Sequence, residues 1–248
     1  MDEKISRLRE RVKKSSREVM LALDENLSVE MCMLCGERHN LTREHVIPQW
    51  VFKGDAGKVI INKTNDQPMP YVQLTIPACQ SCNSELLGVF EASLKKMFQL
   101  HNDDGFLPEE IDYIIWWLEY IGFKLQVADL RSKYLRHRKM QYIPEVADVP
   151  IAFMRGDKFR TWNQIFTGLN KARNRLIEKQ KKRKRINLHI FHTTNKELHF
   201  FHKTNEFIFI ELPQVGYAFF LFYHERFYSR RQSYRECWRL IEKIYNSE

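Results

Sequence analysis

Apolar residues recur with a helical period in five segments of this chain, and runs in its last quarter follow a different pattern. Directly after Cys82, apolar residues recur at three- and four-residue steps, which predicts a helix from about Asn83 to about Leu100. Pro108 and the two glutamates after it suit the start of a second helix, whose apolar stripe runs to about Asp129. Similar stripes predict three further helices, at residues 4–23, 158–184 and 230–245.

The last quarter of the chain contains four aromatic-rich runs that are joined by short polar turns. These runs are INLHIFH, ELHFFHK, EFIFIEL and GYAFFLFYHERF. Consecutive strands with connections this short predict an antiparallel meander. The helix at 230–245 is then expected to cover one face of the sheet, with Trp238, Ile241 and Ile244 pointing inward. Nearer the N-terminus, KVIIN and YVQLTI predict two short strands.

Composition restricts both the class of protein and the kind of partner. The 248 residues are 44% hydrophobic and 29% charged, and they contain no apolar stretch of the roughly 20 residues that a membrane span needs. The 40 Lys and Arg exceed the 31 Asp and Glu and leave a formal charge of +9, which favours a polyanionic partner. The N-terminal residues show no apolar secretion signal, so we expect a cytoplasmic protein.

Four of the five cysteines form two C-x2-C pairs, Cys32/Cys35 and Cys79/Cys82. In a reducing cytosol such pairs indicate a metal site before they indicate disulfides. Each pair can offer two thiolates from one tight turn, and four thiolates complete a tetrahedral structural Zn2+ site. The pairs enclose 43 residues with short strands, and the second pair begins a helix, as in a treble-clef module. We therefore expect an α+β fold: a small N-terminal zinc module, then helices and an antiparallel β-meander with a C-terminal helix.

Three segments around these cysteines carry a resemblance to a known family. CMLCG, EHVIPQW and IPACQSCNSELL, in that order, resemble the four-cysteine zinc branch of the HNH endonucleases. The resemblance covers about residues 30–98, which is less than half of the chain. It implies a ββα-metal fold on the zinc site and metal-dependent hydrolysis of nucleic acid, with DNA as the first expectation. It also implies a role in phage defence or in a mobile element, the usual setting of stand-alone members.

The resemblance also implies roles for individual residues. His45 is the candidate general base, because a neutral imidazole can take a proton from water near physiological pH. Glu44 and Asn83 occupy the family's metal-ligand positions, where Asp and His are commoner, and two oxygen donors favour Mg2+ or Mn2+. Either Asn62 or Asn65 is expected to support His45 through a hydrogen bond.

Strand geometry sets a condition on this assignment. In a regular strand Glu44 and His45 point to opposite faces, so the resemblance implies a distorted hairpin at residues 43–47. Ordinary structural explanations also exist: a surface charge beside a histidine that supports the zinc module, and a helix-capping role for Asn83. Only the joint occurrence of the three residues favours catalysis.

Six of the seven residues at 179–185 are basic. They are Lys179, Lys181, Lys182, Arg183, Lys184 and Arg185. Like charges at this density repel one another unless a polyanion is near. The run therefore predicts a contact with nucleic acid, and a solvated helix end is an equal alternative.

These observations divide the chain into three parts. They are an N-terminal helix (1–29), an HNH zinc module (30–100) and an α+β region (101–248) that recognises target, regulator or partner subunit, including a second copy of the chain. The predicted function is a metal-dependent endonuclease. Two alternatives stay open: a zinc-dependent nucleic-acid-binding module without cleavage, and an adaptor whose sheet docks another protein.

Overall fold

The computed structural model describes most of the chain, and the described residues fall into two compact units. Described are residues 31–52, 59–61, 68–101, 105–140, 171–176, 182–223 and 227–246, together with positions 3, 6, 7 and 10. The cysteine unit comprises Met1–Ser93 and Phe123–Ile177, and the sheet unit comprises Leu94–Gly122 and Glu178–Glu248. The architecture is mixed α+β with antiparallel sheets and a C-terminal helix, which confirms the predicted fold class at that level.

The cysteine unit contains two antiparallel strand pairs. β1 (Leu41–His45) pairs with β4 (Thr75–Cys79), and β2 (Val59–Ile61) pairs with β3 (Pro68–Pro70). The prediction of a strand over YVQLTI is wrong for its first four residues, because Tyr71–Gln73 form a 3-10 turn capped by Leu74 and the strand begins at Thr75. Pro70 precedes this turn and has no amide hydrogen to donate to a ladder, which suits a break in the pairing.

The pairing of β1 with β4 decides which way the candidate catalytic residues point. The register is one residue for one residue, from Leu41 opposite Cys79 to His45 opposite Thr75. The hairpin distortion that the resemblance implies is therefore absent up to His45, and the chain bends only at residues 46 and 47. Glu44 consequently lies on the buried face of the strand, and His45 lies on the opposite, half-exposed face.

The helices agree with the predictions at most of their ends. A π-helix (Ser81–Gly88) leads directly into α1 (Val89–Leu100), and the later helices are α2 (Pro108–Met140) and α3 (Arg230–Tyr245). α2 is longer than predicted, because the helix continues past residue 129 to Met140. Residues 171–176 and positions 3, 6, 7 and 10 are helical, and the rest of the predicted helices at 4–23 and 158–181 lies outside the described residues. Lys182–Asn187 form a 3-10 helix, so the prediction of an α-helix up to residue 184 is wrong for residues 182–184.

A four-stranded antiparallel sheet forms the centre of the sheet unit. Its strands are β5 (Leu188–His192), β6 (His199–Lys203), β7 (Phe207–Leu212) and β8 (Tyr217–Phe222). Their spatial order is β5-β8-β7-β6, so the predicted meander is wrong for β5, which pairs with β8 and not with β6. The two fully buried strands β7 and β8, which are apolar except for Glu211, take the centre, and the histidine-containing strands β5 and β6 take the edges.

Helices cover both faces of this sheet. On one face Phe219 packs against Phe98, with ring centroids 5.3 Å apart, and buried Trp117 packs against Phe98 in turn. On the other face Phe220 and Phe222 belong to a core that includes Cys237 of α3. Aromatic residues at successive positions of β8 are therefore buried alternately on the two faces. Among the described helices, none has the length and apolar character that crossing a membrane requires.

The predicted inward face of α3 is confirmed for Ile241, which is buried, and for Ile244, which packs partly buried against the core, and it is wrong for Trp238. Ser233 and Cys237 are buried as well, whereas Trp238 is 40% exposed and packs edge-on against Phe191 at 5.1 Å. A residue that follows Cys237 directly is turned by about 100° around the helix, which carries Trp238 to the flank. Burial raises the pKa of the Cys237 thiol, as expected for a thiol inside an apolar core.

The buried histidine of β5 predicts a pH-dependent loss of stability. His189 Nε2 lies 2.7 Å from Ser233 Oγ, and burial, with a smaller effect of Arg230, lowers the pKa of His189 to about 4. A histidine whose folded pKa is lowered contributes stability above its unfolded pKa, and this contribution is lost as pH falls from about 6.5 towards 4. We expect the free energy of unfolding to fall by about 2 kcal/mol between pH 7 and pH 5 through this residue.

Urea unfolding at the two pH values tests this expectation. His189→Gln keeps a side chain that can bond Ser233 but does not titrate, so its stability should fall less between pH 7 and pH 5. The exposed His192 on the same strand provides a matched control, and His192→Gln should retain the wild-type decrease. An equal decrease in wild type and His189→Gln would exclude His189 as the cause.

Candidate metal centre and its surroundings

The four paired cysteines form one compact cluster that could hold a metal ion such as zinc. Their sulfur atoms all lie within 4.8 Å of one another, and Cys35 Sγ lies 3.5 Å from Cys79 Sγ. A tetrahedral Zn2+ with Zn–S bonds of about 2.3 Å would hold its sulfurs about 3.8 Å apart, so the cluster has a suitable size. Three of the cysteines are buried, and Cys35 is half-buried.

Backbone hydrogen bonds bring the two cysteine pairs together. Gly36 N donates to Cys32 O at 2.8 Å and closes the first turn, where Gly36 has a φ of 75° that favours glycine. Met33 N donates to Pro77 O at 3.0 Å and ties this turn to β4. The second pair lies at the junction of β4 with the π-helix, so the pairing of β1 with β4 sets the distance between the pairs.

Electrostatics within the cluster favour a bound cation. A hydrogen bond with the Cys82 side chain lowers the pKa of Cys32 to about 5, whereas burial raises the pKa of Cys35 to about 12. The protein alone therefore favours the thiolate of Cys32 and disfavours that of Cys35. Four thiolates at this separation repel one another, and a divalent cation among them would remove that repulsion.

His45 is placed at the end of β1 with its ring half-exposed. Its Nε2 lies 3.1 Å from Gln49 Nε2, and its backbone oxygen accepts a hydrogen bond from Lys124 Nζ at 2.7 Å. Burial lowers the pKa of the His45 imidazole, and the charge of Lys124 also lowers it, while Glu44 acts in the opposite direction. The imidazole is therefore neutral at physiological pH, as a proton acceptor must be.

Glu44 belongs to a buried ionic cluster with Lys124 of α2 and Glu91 of α1. Lys124 is fully buried, and its Nζ lies 2.6 Å from Glu44 Oε1 and 3.6 Å from Glu91 Oε1. Burial raises the pKa of Glu91 to about 7, although Lys124 acts in the opposite direction. One ammonium, one carboxylate and a carboxyl group that is about half protonated near neutral pH together carry less than one net charge, which limits the cost of burying them.

Asn83 connects the start of the π-helix to β1. Its Nδ2 donates to Thr42 Oγ1 at 2.8 Å and lies 3.5 Å from Arg43 O. Thr42 Oγ1 in turn donates to Ala78 O at 2.9 Å. The amide nitrogen of Asn83 is thus used within the protein, which leaves its amide oxygen as the atom that could face a cation. Asn83 lies in a π-helix. π-Helical turns are rare overall, and many of those known occur at functional sites.

The structure therefore places all three predicted site residues at or against β1 but not on one face of it. Asn83 contacts Thr42, which by strand alternation lies on the face of Glu44 and not on that of His45, and Glu44 is bonded to Lys124. Lys124 and Glu91 were not among the residues predicted for the site. The sequence does contain an indication that Lys124 is buried, because this residue is a lone cation inside the long apolar stripe of α2.

Most of the predicted nucleic-acid ligands, and both candidate supports of His45, lie outside the described part of the chain. Asn62, Asn65, Lys179 and Lys181 lie outside the described residues, and the side chains of Lys182, Arg183 and Lys184 do as well. Arg185 is described, and it makes two hydrogen bonds to Asp112, Nε to Oδ1 at 2.8 Å and Nη2 to Oδ2 at 2.6 Å. This paired geometry argues against Arg185 as a free phosphate ligand.

Comparison with models of known families, with curated proteins and with solved structures finds no match for this chain.

Proposed function

We propose that this protein is a metal-dependent endonuclease of the HNH type that hydrolyses phosphodiester bonds in nucleic acid, with DNA as the expected substrate. One observation carries the proposal. Asn83, which follows the second cysteine pair, is hydrogen-bonded to Thr42 on the strand that ends at His45. The family resemblance requires this meeting of an oxygen donor from the helix start with the histidine strand, although the two segments are far apart in sequence.

In this proposal the four cysteines hold a structural Zn2+ in a treble-clef arrangement. The size of the cluster and the lowered pKa of Cys32 support a thiolate-bound divalent cation. The ion would fix the position of the π-helix relative to β1 and thereby the distance between Asn83 and His45. Zinc is accordingly assigned a folding role and no chemical step.

The chemistry assigned to this chain is the activation of water by His45. Its neutral imidazole takes a proton from water that attacks the phosphorus atom, and Gln49 is close enough to orient the ring. A bound Mg2+ or Mn2+ would stabilise charge on the leaving oxygen. Asn83 would hold this ion through its amide oxygen, together with water and substrate oxygens. Glu44 would join it only if the ion displaced the ammonium of Lys124 from the carboxylate.

One observation favours a second function, a zinc-dependent nucleic-acid-binding module without cleavage. Glu44 is the carboxylate that the family pattern uses for the metal, and here it is buried and paired with Lys124. A chain that has converted its metal ligand into a structural ion pair would keep its binding surface and lose its chemistry.

A cleavage assay with Mg2+ separates these two functions. We expect the full-length chain to cut DNA and His45→Ala to cut at least about 100-fold more slowly, because loss of a general base typically costs that much. His39, an exposed histidine in the same unit, provides the matched control, and His39→Ala should cut at the wild-type rate. Cleavage that persists in His45→Ala would contradict the proposed base. Binding by all three proteins with no cleavage by any would support the binding module.

A further inference from the structure

The C-terminal helix of the sheet unit carries a row of cations beside a groove lined by aromatic residues, far along the chain from the two cysteine pairs. The groove has a volume of about 630 Å³. Its lining includes the cations Arg231, Arg235, Arg239 and Lys243 of α3 and Lys203 of β6, together with the acidic Glu206 and Glu236. Its floor includes Phe207, Phe222 and Phe227. We propose that this groove binds a single strand of nucleic acid, with phosphates on the α3 row and a base on the aromatic floor.

The spacing of the row is the first argument. Four cations at four-residue steps lie on one side of a helix, and the rise of 1.5 Å per residue places them about 6 Å apart. Like charges at such steps destabilise a helix, and cations in its first turn, where α3 has no acidic residue, oppose the helix dipole as well. A bound polyanion would offset both costs.

The free charge in the groove is the second argument. Lys203 is paired with Glu206 at 2.9 Å, and Arg239 donates to Glu236 at 2.8 Å. Among the ion pairs of the described residues, neither Arg231 nor Arg235 takes part, and both side chains are exposed. Arginine presents a planar set of donors that matches phosphate oxygens, which favours phosphate over a diffuse acidic surface.

The aromatic lining of the groove selects for an unpaired base. Phe207 and Phe222 are buried core residues, whereas Phe227 is half-buried with its ring edge-on to Phe222 at a centroid distance of 4.7 Å, so Phe227 is the ring proposed to stack on a base. A base can stack on such a ring only if it is not inside a duplex, and this stacking is insensitive to sequence. The groove therefore combines a cationic track with a stacking platform, which is the usual composition of single-strand binding surfaces.

This inference goes beyond the proposed nuclease, because it concerns binding in another unit and does not require cleavage. The test measures the dissociation constant of a labelled oligothymidylate of about 12 nucleotides, without added divalent cation, at several salt concentrations. Arg231→Gln/Arg235→Gln should weaken binding about tenfold or more. It should also reduce the slope of log K against log salt by about 1.4, since each phosphate contact on a single strand contributes about 0.7.

Two further variants separate a specific groove from general positive charge. Lys95→Gln/Lys96→Gln removes the same charge from exposed positions of α1 and should leave binding within about twofold. Phe227→Leu keeps an apolar side chain but removes the ring, and it should weaken binding about fivefold or more without changing the salt slope. Thermal unfolding of each variant shows that the sheet unit is intact.

Several outcomes would overturn the proposal. Equal losses of affinity in the arginine and lysine double variants would show that the α3 cations act only through the net charge of the protein. An unchanged affinity of Phe227→Leu for the oligothymidylate would exclude base stacking on Phe227. A duplex of the same length that binds as tightly, or an oligoglutamate that displaces the oligothymidylate at equal charge concentration, would assign the groove to another polyanion.

Discussion

Cys82→Ala is expected to abolish metal binding and to unfold the cysteine unit at neutral pH. Cys82 is fully buried among the four sulfurs, and three remaining thiols do not complete a tetrahedral site. Zinc binding to structural sites contributes on the order of 10 kcal/mol at neutral pH, and removal of one ligand forfeits much of it. Because domains are stable by only about 5–15 kcal/mol, this loss is large enough to unfold the unit.

Metal analysis and hydrogen exchange measure this effect. Wild-type protein is expected to carry one zinc per chain, and Cys82→Ala is expected to carry none and to lose amide protection in β1 and β4. Cys237→Ala provides the matched control, because Cys237 is also fully buried but lies in the sheet unit. It should keep its zinc and lose only the stability that a small cavity costs, about 1 kcal/mol. Purified wild-type protein that carries no zinc, or that melts at the same temperature with and without a chelator, would refute the zinc assignment.

Lys124→Met is expected to destabilise the cysteine unit by roughly 3–5 kcal/mol, the usual effect of removing one partner from a buried ion pair. The substitution leaves the Glu44 carboxylate buried without its cation and removes the donor to the backbone oxygen of His45. Methionine resembles the lysine stem in length and packs in similar space, so a cavity does not explain the loss.

Urea unfolding of three variants distinguishes this charge effect from packing. Lys124→Met/Glu44→Leu removes both partners and should recover most of the stability, because apolar replacements of a whole buried pair are often nearly neutral. Lys95→Met removes an exposed lysine and should change the free energy of unfolding by less than about 0.5 kcal/mol. A loss below about 1 kcal/mol in Lys124→Met would show that the cluster has little effect on stability.

Helices and strands were largely predictable because their patterns are local. The helix that follows Cys82 ends at Leu100 and the last helix spans Arg230–Tyr245, as their apolar spacing indicates. The strand order was not predictable in the same way. β5 lies beside β8 because the most apolar strands occupy the centre, and that choice depends on which helices cover the sheet.

The features of the candidate site were likewise predictable where they are local and not predictable where they depend on tertiary contacts. By itself the sequence determined that four cysteines pair at ligand spacing, that a histidine follows an acidic residue between the pairs, and that the chain is strongly basic. Only the tertiary structure decided the direction in which each of these side chains points. Regular pairing of β1 with β4 turns Glu44 inward to Lys124, a residue 80 positions away, and brings Asn83 onto Thr42. Contacts at such separations depend on the packing of whole elements, which local spacing does not encode.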